Sequence, residues 1–192
     1  MLKDLRAAPN LLTFLRLFII PFLVTAILDA HYRTAFALFL LAGFSDGLDG
    51  LLARWLKQRT LLGQYLDPVA DKLLLSTLFL VLMHQGLIPR RVTILVFSRD
   101  IGMLVVAALL FAAVGTRDFR PSIWGKANTA AQVFALTMTL WAAFYPESVL
   151  LFAKKWSLVA TFVLTLFSWL HYTLRETRRM GSQATHRLPA DR

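Results

Sequence analysis

Acidic side chains are scarce in this chain, eleven against twenty-one Lys and Arg, and four of the eleven stand close together: Asp46 and Asp49, then Asp67 and Asp71. On a helix an i, i+3 pair and an i, i+4 pair each project to one face, so each short segment offers a two-carboxylate face. The surrounding sequence is apolar, and an unpaired ionised carboxylate inside a membrane costs several kcal/mol. Three compensators are open: protonation, pairing with a cation such as Arg54 or Lys72, or a divalent metal ion. Two cations do not neutralise four carboxylates. An all-oxygen donor set suits Mg2+, Mn2+ or Ca2+, and four carboxylates from two helices can hold two ions about 3.5–4 Å apart, a pair that would attract a diphosphate. The alternative is capping or salt bridging in a water-filled vestibule, and Asp46-Gly47 and Asp49-Gly50 also read as turns. Gly43, Gly47 and Gly50 line up around the carboxylates. Small residues of this kind serve close helix packing, or leave room for a bulky headgroup to approach.

The elements that must position these carboxylates are membrane helices. With 57% hydrophobic and 17% charged residues in a length of 192, the chain is too oily for an ordinary soluble domain. Apolar runs near 11–30, 34–53, 69–88, 92–114, 127–145 and 156–172 predict six spans, each near the roughly 20 residues that a bilayer requires. Gly63, Gly86 with Pro89, Gly115 with Pro121, and Pro146 punctuate the breaks. The expected fold is an all-α integral membrane protein of six transmembrane helices, one domain over residues 1–175 with a basic cytoplasmic tail over 176–192. The first run contains Arg16 and Pro21 with no clear small-x-small site after it, so it is expected to stay attached rather than be cleaved as a signal peptide.

Thirteen Lys and Arg fall on one set of ends and loops and five on the other, which orients both termini and the carboxylate cluster toward the cytoplasm. Topology and attraction to anionic headgroups account for most of the net charge of +10. No basic residues interleave with aromatics on a polar surface, which argues against a nucleic-acid groove. The lack of cysteine removes disulfides, thiolate metal sites and thiol nucleophiles together. His31, His84, His171 and His186 make no ligand spacing, and Trp124, Trp141, Trp156 and Trp169 lie near span ends as an interfacial belt would.

Written out, the acidic segment is Asp46-x2-Asp49-Gly50-x2-Ala53-Arg54-x8-Gly63-x3-Asp67-x3-Asp71, and it resembles the signature of the CDP-alcohol phosphatidyltransferases at eight positions with every spacing intact. Pro9-Asn10-x-Leu12-Thr13-x2-Arg16 is similar to the opening of the first helix in that family, and the resemblance runs to about Arg175. It implies a multi-pass membrane enzyme, here of a bacterial cell membrane, that transfers the phosphatidyl group of CDP-diacylglycerol to a hydroxyl and releases CMP. Carried onto this sequence, it makes Asp46, Asp49, Asp67 and Asp71 the ligands of two Mg2+ or Mn2+ ions, with Asp71 also the general base. It makes Gly50, Ala53, Arg54 and Gly63 the nucleotide site, joined by Asn10 and Thr13, which could equally cap and back-bond their own helix. Arg16 is open between snorkelling to headgroups and contacting a substrate phosphate. Members of the family are often dimeric, which leaves a homodimer open, although the sequence itself does not give the oligomeric state.

The acceptor is less determined than the donor. Ser98-Arg99-Asp100 and Lys126-x-Asn128-Thr129-Ala130-x-Gln132 are polar features of the fourth and fifth spans that could face the same cavity. Arg99, Lys126 and Arg120 would hold an anionic acceptor phosphate, although Arg99 beside Asp100 also fits a structural ion pair. Phosphatidylglycerol and glycerol 3-phosphate both suit such a site. The Ser-Arg-Asp sequence is more similar to cardiolipin synthases than to phosphatidylglycerophosphate synthases, which typically carry Arg-Glu there, and so favours phosphatidylglycerol. The non-enzyme alternative, a cation channel or transporter, would more often show an inverted repeat and a site near the bilayer midplane, and no repeat is found.

Overall fold

A computed structural model describes the backbone of residues 8–55, 61–114 and 123–186, and the side chains of residues 13–45, 69–103, 105 and 123–170. Six helices follow one another, α1 (Ala8–Leu28), α2 (Tyr32–Trp55), α3 (Leu61–His84), α4 (Arg90–Val114), α5 (Ile123–Phe144) and α6 (Ser148–His186), with no strand among the described residues. Each helix begins before the apolar stretch that announces it, while α1, α3 and α5 end short of that stretch, at Leu28, His84 and Phe144. A helix satisfies its own backbone hydrogen bonds in water and in lipid alike, so the apolar pattern marks only the part that meets the core or the bilayer.

Among the described residues one stretch, Ser148–Leu170 of α6, is by itself long and apolar enough to cross a membrane, and Thr13–Leu28 and Tyr32–Ser45 are shorter apolar stretches. The six expected helices are present, and among the described residues length and apolar composition mark one of them, α6, as a membrane-span candidate.

α1 packs against both α2 and α3, α5 lies along α6 and touches α2, and α4 rests on α3 and α6. Leu23 and Ile27 of α1, Phe39 of α2, Leu78, Phe79 and Leu82 of α3, Val96 of α4, and Leu136 and Leu140 of α5 make a closed apolar core. Phe18, Phe22, Phe44, Val149, Phe152 and Trp156 point outward, the reverse of a water-soluble pattern.

Two turns at one end of the bundle fix where α1 and α3 lie. Ala30 (φ 57°) and Gly86 (φ 71°) both take the left-handed conformation that closes a helix. The amide of His31 donates back to the Ala26 carbonyl at 2.8 Å, and that of Leu87 to Leu82 at 2.9 Å. Gln85 Nε2 then donates to the carbonyls of Ile27 and Leu28, both at 3.0 Å, so the end of α3 caps the end of α1. Counting back from this tie, Arg16 lies eleven residues before Ile27 and Asp71 fourteen before Gln85. At 1.5 Å per residue the two fall within about 5 Å of the same depth.

Candidate functional site

Arg16 and Asp71 do meet. Arg16 Nη1 donates to Asp71 Oδ1 at 2.5 Å, with the arginine side chain 1% exposed and the aspartate 41%. Thr13, one turn earlier on the same face of α1, is also fully buried. Arg16 therefore neither snorkels nor waits at the surface: it holds one oxygen of a carboxylate that remains half open to its surroundings.

Asp46 and Asp49 fall in the last three turns of α2, and Asp67 and Asp71 in the first three turns of α3. The side chains of Asp46, Asp49 and Asp67 lie outside the described residues, as do Asn10, Gly50, Ala53, Arg54 and Gly63 beyond their backbone, and Arg120 altogether. The donor set written in the sequence is oxygen only, which fits a hard divalent ion.

Next to Asp71 in sequence, Lys72 turns away from it. Neighbours on a helix are about 100° apart, so while Asp71 faces α1, Lys72 faces α4, where its Nζ donates to Asp100 Oδ1 at 2.7 Å. The same oxygen accepts from Arg99 Nη1, also at 2.7 Å, and Arg99 Nη2 donates to Ser168 Oγ of α6 at 3.0 Å. Asp100 is buried, its side chain 5% exposed. Among the described residues, Arg99 Nε and Asp100 Oδ2 have no hydrogen-bond partner.

Lys72, Arg99 and Lys126 line one cavity of about 690 Å³, with Gly125 and Thr129 beside them and Met103, Val133, Phe134 and Thr137 continuing its wall. Two of the three cations expected to grip an anionic acceptor are therefore brought together, and Lys72 joins them. The polar run of α5 divides in a way its spelling does not reveal. Thr129 lines the cavity, whereas Asn128 and Gln132 are completely buried, Asn128 in the α5–α6 contact. There Thr165 Oγ1 donates to Asn128 Oδ1 at 2.8 Å and Thr161 Oγ1 to the Ala131 carbonyl at 3.1 Å. These hydroxyls and Ser168 were legible as a stripe, since Ser157, Thr161, Thr165 and Ser168 recur at helical spacing, but in an apolar helix the stripe has no direction until its partners are known.

Compared with known proteins, residues 6–168 match the family described as CDP-alcohol phosphatidyltransferase. The chain is 32% identical over 184 residues to cardiolipin synthase (CMP-forming) of Rattus norvegicus, an alignment covering 85% of this chain and 60% of that protein. It is 32% identical over 171 residues to CDP-diacylglycerol--glycerol-3-phosphate 3-phosphatidyltransferase of Aquifex aeolicus, covering 87% and 94%. With the protein of the same name from Haemophilus influenzae the identity is 39% over 144 residues, covering 69% and 75%. The chain thus matches 60% of the length of the rat protein and 94% of the Aquifex one.

Proposed function

The chain belongs to the CDP-alcohol phosphatidyltransferase family, and from that premise we propose that it is a membrane-embedded enzyme that transfers the phosphatidyl group of CDP-diacylglycerol to a hydroxyl of phosphatidylglycerol, forming cardiolipin and releasing CMP. The observation that carries the choice of acceptor is the cavity. Its cations Lys72, Arg99 and Lys126 suit a phosphate, and about 690 Å³ is the size of a drug-like ligand, far more than a triose phosphate fills. From Lys126 to Thr137 its wall follows α5 for eleven residues, about 16 Å, and beyond the cations the lining side chains are largely apolar. An amphiphile with an anionic head fits that description.

In this reading the acceptor oxygen attacks the phosphorus that carries the diacylglycerol, the bond from that phosphorus to the bridging oxygen breaks, and CMP leaves with the electron pair. Asp71 takes the proton of the attacking hydroxyl. A carboxylate with an ordinary pKa near 3.9 is a weak base at neutral pH, so what Asp71 supplies is placement: Arg16 fixes one of its oxygens from a fully buried position on α1. Asp46, Asp49, Asp67 and Asp71 would hold the two Mg2+ or Mn2+ ions, which when bound neutralise the diphosphate and the charge developing on the departing CMP. Asn10, Thr13, Gly50, Ala53, Arg54 and Gly63 would bind the cytidine nucleotide. Arg99, Lys126 and Arg120 would hold the acceptor phosphate.

A second acceptor, glycerol 3-phosphate, is favoured by one observation: of the three cations lining the cavity, Lys72 and Arg99 share a single buried carboxylate, Asp100, and Lys126 adds a further positive charge, a balance that also suits a dianion. Purified protein given CDP-diacylglycerol, Mg2+ or Mn2+, and either acceptor, with CMP and lipid product read by mass spectrometry, decides between them. Cardiolipin supports the first reading, phosphatidylglycerophosphate reassigns the cations to a soluble phosphate, and no product from either overturns both.

A further inference from the structure

The cations of the cavity do not stand by themselves. Asp100 is nearly inaccessible and touches the cavity with nothing of its own, yet a single oxygen of it receives both Lys72 from α3 and Arg99 from its own helix, each at 2.7 Å. An ammonium and a guanidinium nitrogen bound to one oxygen lie no more than twice that distance apart, a separation that unscreened like charges would resist. Asp100 therefore sets both the spacing of the pair and its orientation. Without it Lys72 could swing back along α3 toward the carboxylate of Asp71.

The second terminal nitrogen of Arg99 is fixed from the other side by Ser168 of α6. α6 is seated at that level by an adjacent contact: Gly102, one turn after Arg99, faces the indole of Trp169, and a β-carbon there would stand 3.3 Å from Nε1. With one hydrogen bond on each terminal nitrogen, the guanidinium plane is locked. Each terminal nitrogen carries two N–H groups, of which the bonds to Asp100 and Ser168 use one each, so the guanidinium keeps donors to spare while it lines the cavity. A guanidinium held at both terminal nitrogens with donors left over is preorganised for an anion.

The geometry points to Asp100 and Ser168 as positioning residues that hold Arg99 and Lys72 in the register needed to grip the acceptor phosphate, so that the last helix acts on acceptor affinity without touching the acceptor. The inference rests on the reading of this cavity as the acceptor site. It asks of α6 a role in catalysis that a membrane anchor would not have.

The test uses the full-length enzyme, with whichever of phosphatidylglycerol or glycerol 3-phosphate yields product, and measures KM for acceptor and for CDP-diacylglycerol separately. Ser168→Ala removes one hydrogen bond to a charged group and should raise the acceptor KM about tenfold with the donor KM unchanged. Asp100→Asn should raise it further, and Asp100→Glu should recover part of the loss. Should Asp100→Asn fail to fold, Ser168→Ala still decides. Arg99→Ala separates the two levels of the argument. If it leaves the acceptor KM unmoved, or if neither acceptor yields product, the acceptor reading fails and this inference with it. If Arg99→Ala raises the acceptor KM while Ser168→Ala and Asp100→Asn shift both KM values together, or neither, the brace is only a packing contact and the inference alone is overturned.

Discussion

Among the described residues two carboxylates are paired with buried arginines, and under the proposed function they serve opposite ends. Asp71 shares one oxygen with Arg16 and keeps its side chain 41% exposed. Asp100 takes two cations on one oxygen and is 5% exposed. A carboxylate that must exchange a proton or meet a metal has to remain reachable, and the cation beside it aims it. A carboxylate that is closed over can only orient its partners. Exposure, more than the presence of an ion pair, separates the reacting group from the brace.

That contrast breaks most directly at Asp71. Asp71→Asn keeps the volume and a hydrogen-bond acceptor for Arg16 but removes the proposed base, and kcat should fall by about 10²–10⁴ while CDP-diacylglycerol still binds. Near-normal turnover with Mg2+ would show that Asp71 is not the base. Stability should respond in the other order. Asp100→Asn leaves two cations without their counter-ion, one of them fully buried, and losses of about 3–5 kcal/mol accompany that kind of deletion. Asp71→Asn, at a half-open site, should cost about 1 kcal/mol or less. Thermal or denaturant unfolding of the two variants in the same detergent measures the difference, and equal losses would erase the distinction drawn here.

Arg54→Ala sharpens the comparison from the donor side. On the proposed assignment Arg54, in the last turn of α2, binds the nucleotide, so the KM for CDP-diacylglycerol should rise about tenfold, the effect of one charge-assisted hydrogen bond, with the acceptor KM unchanged. A matching rise for the acceptor would mean that the donor and acceptor sites share their cations.

How far this division was readable without coordinates depends on the residue. The four aspartates at their spacings and the turn signals at Gly86 with Pro89 and at Pro146 were plain in the sequence, because periodicity and punctuation are local. The sequence also placed Arg16 in the first helix among polar residues. It left open whether Arg16 reached lipid or substrate, since that depends on what α3 presents to it and on the Gln85 tie that sets their relative depth. Lys72 was legible as a charge near the aspartates, but its partner Asp100 sits on another helix. The segment from Lys126 to Gln132 read as one polar feature, and only the packing of neighbouring helices sends Asn128 and Gln132 inward while Thr129 faces the cavity. Local rules give a residue's angle about its own helix; they do not give the neighbour found at that angle.

The smallest expected effect is the most discriminating. Thr165 lies on the same helix as Ser168, one turn earlier, and donates to Asn128 Oδ1 at 2.8 Å in the buried α5–α6 contact. Thr165→Val keeps its shape and removes one neutral hydrogen bond, leaving an Asn128 whose Nδ2 already lacks a partner. Stability should fall by about 1 kcal/mol, and both KM values should stay where they were, because Asn128 faces away from the cavity. If Thr165→Val raised the acceptor KM as Ser168→Ala is expected to, the seating of α6 as a whole would be setting the grip, and the hydrogen bond from Arg99 to Ser168 would lose its separate role. A change confined to unfolding would leave Ser168, among the α6 hydroxyls, as the one that speaks to the acceptor through Arg99.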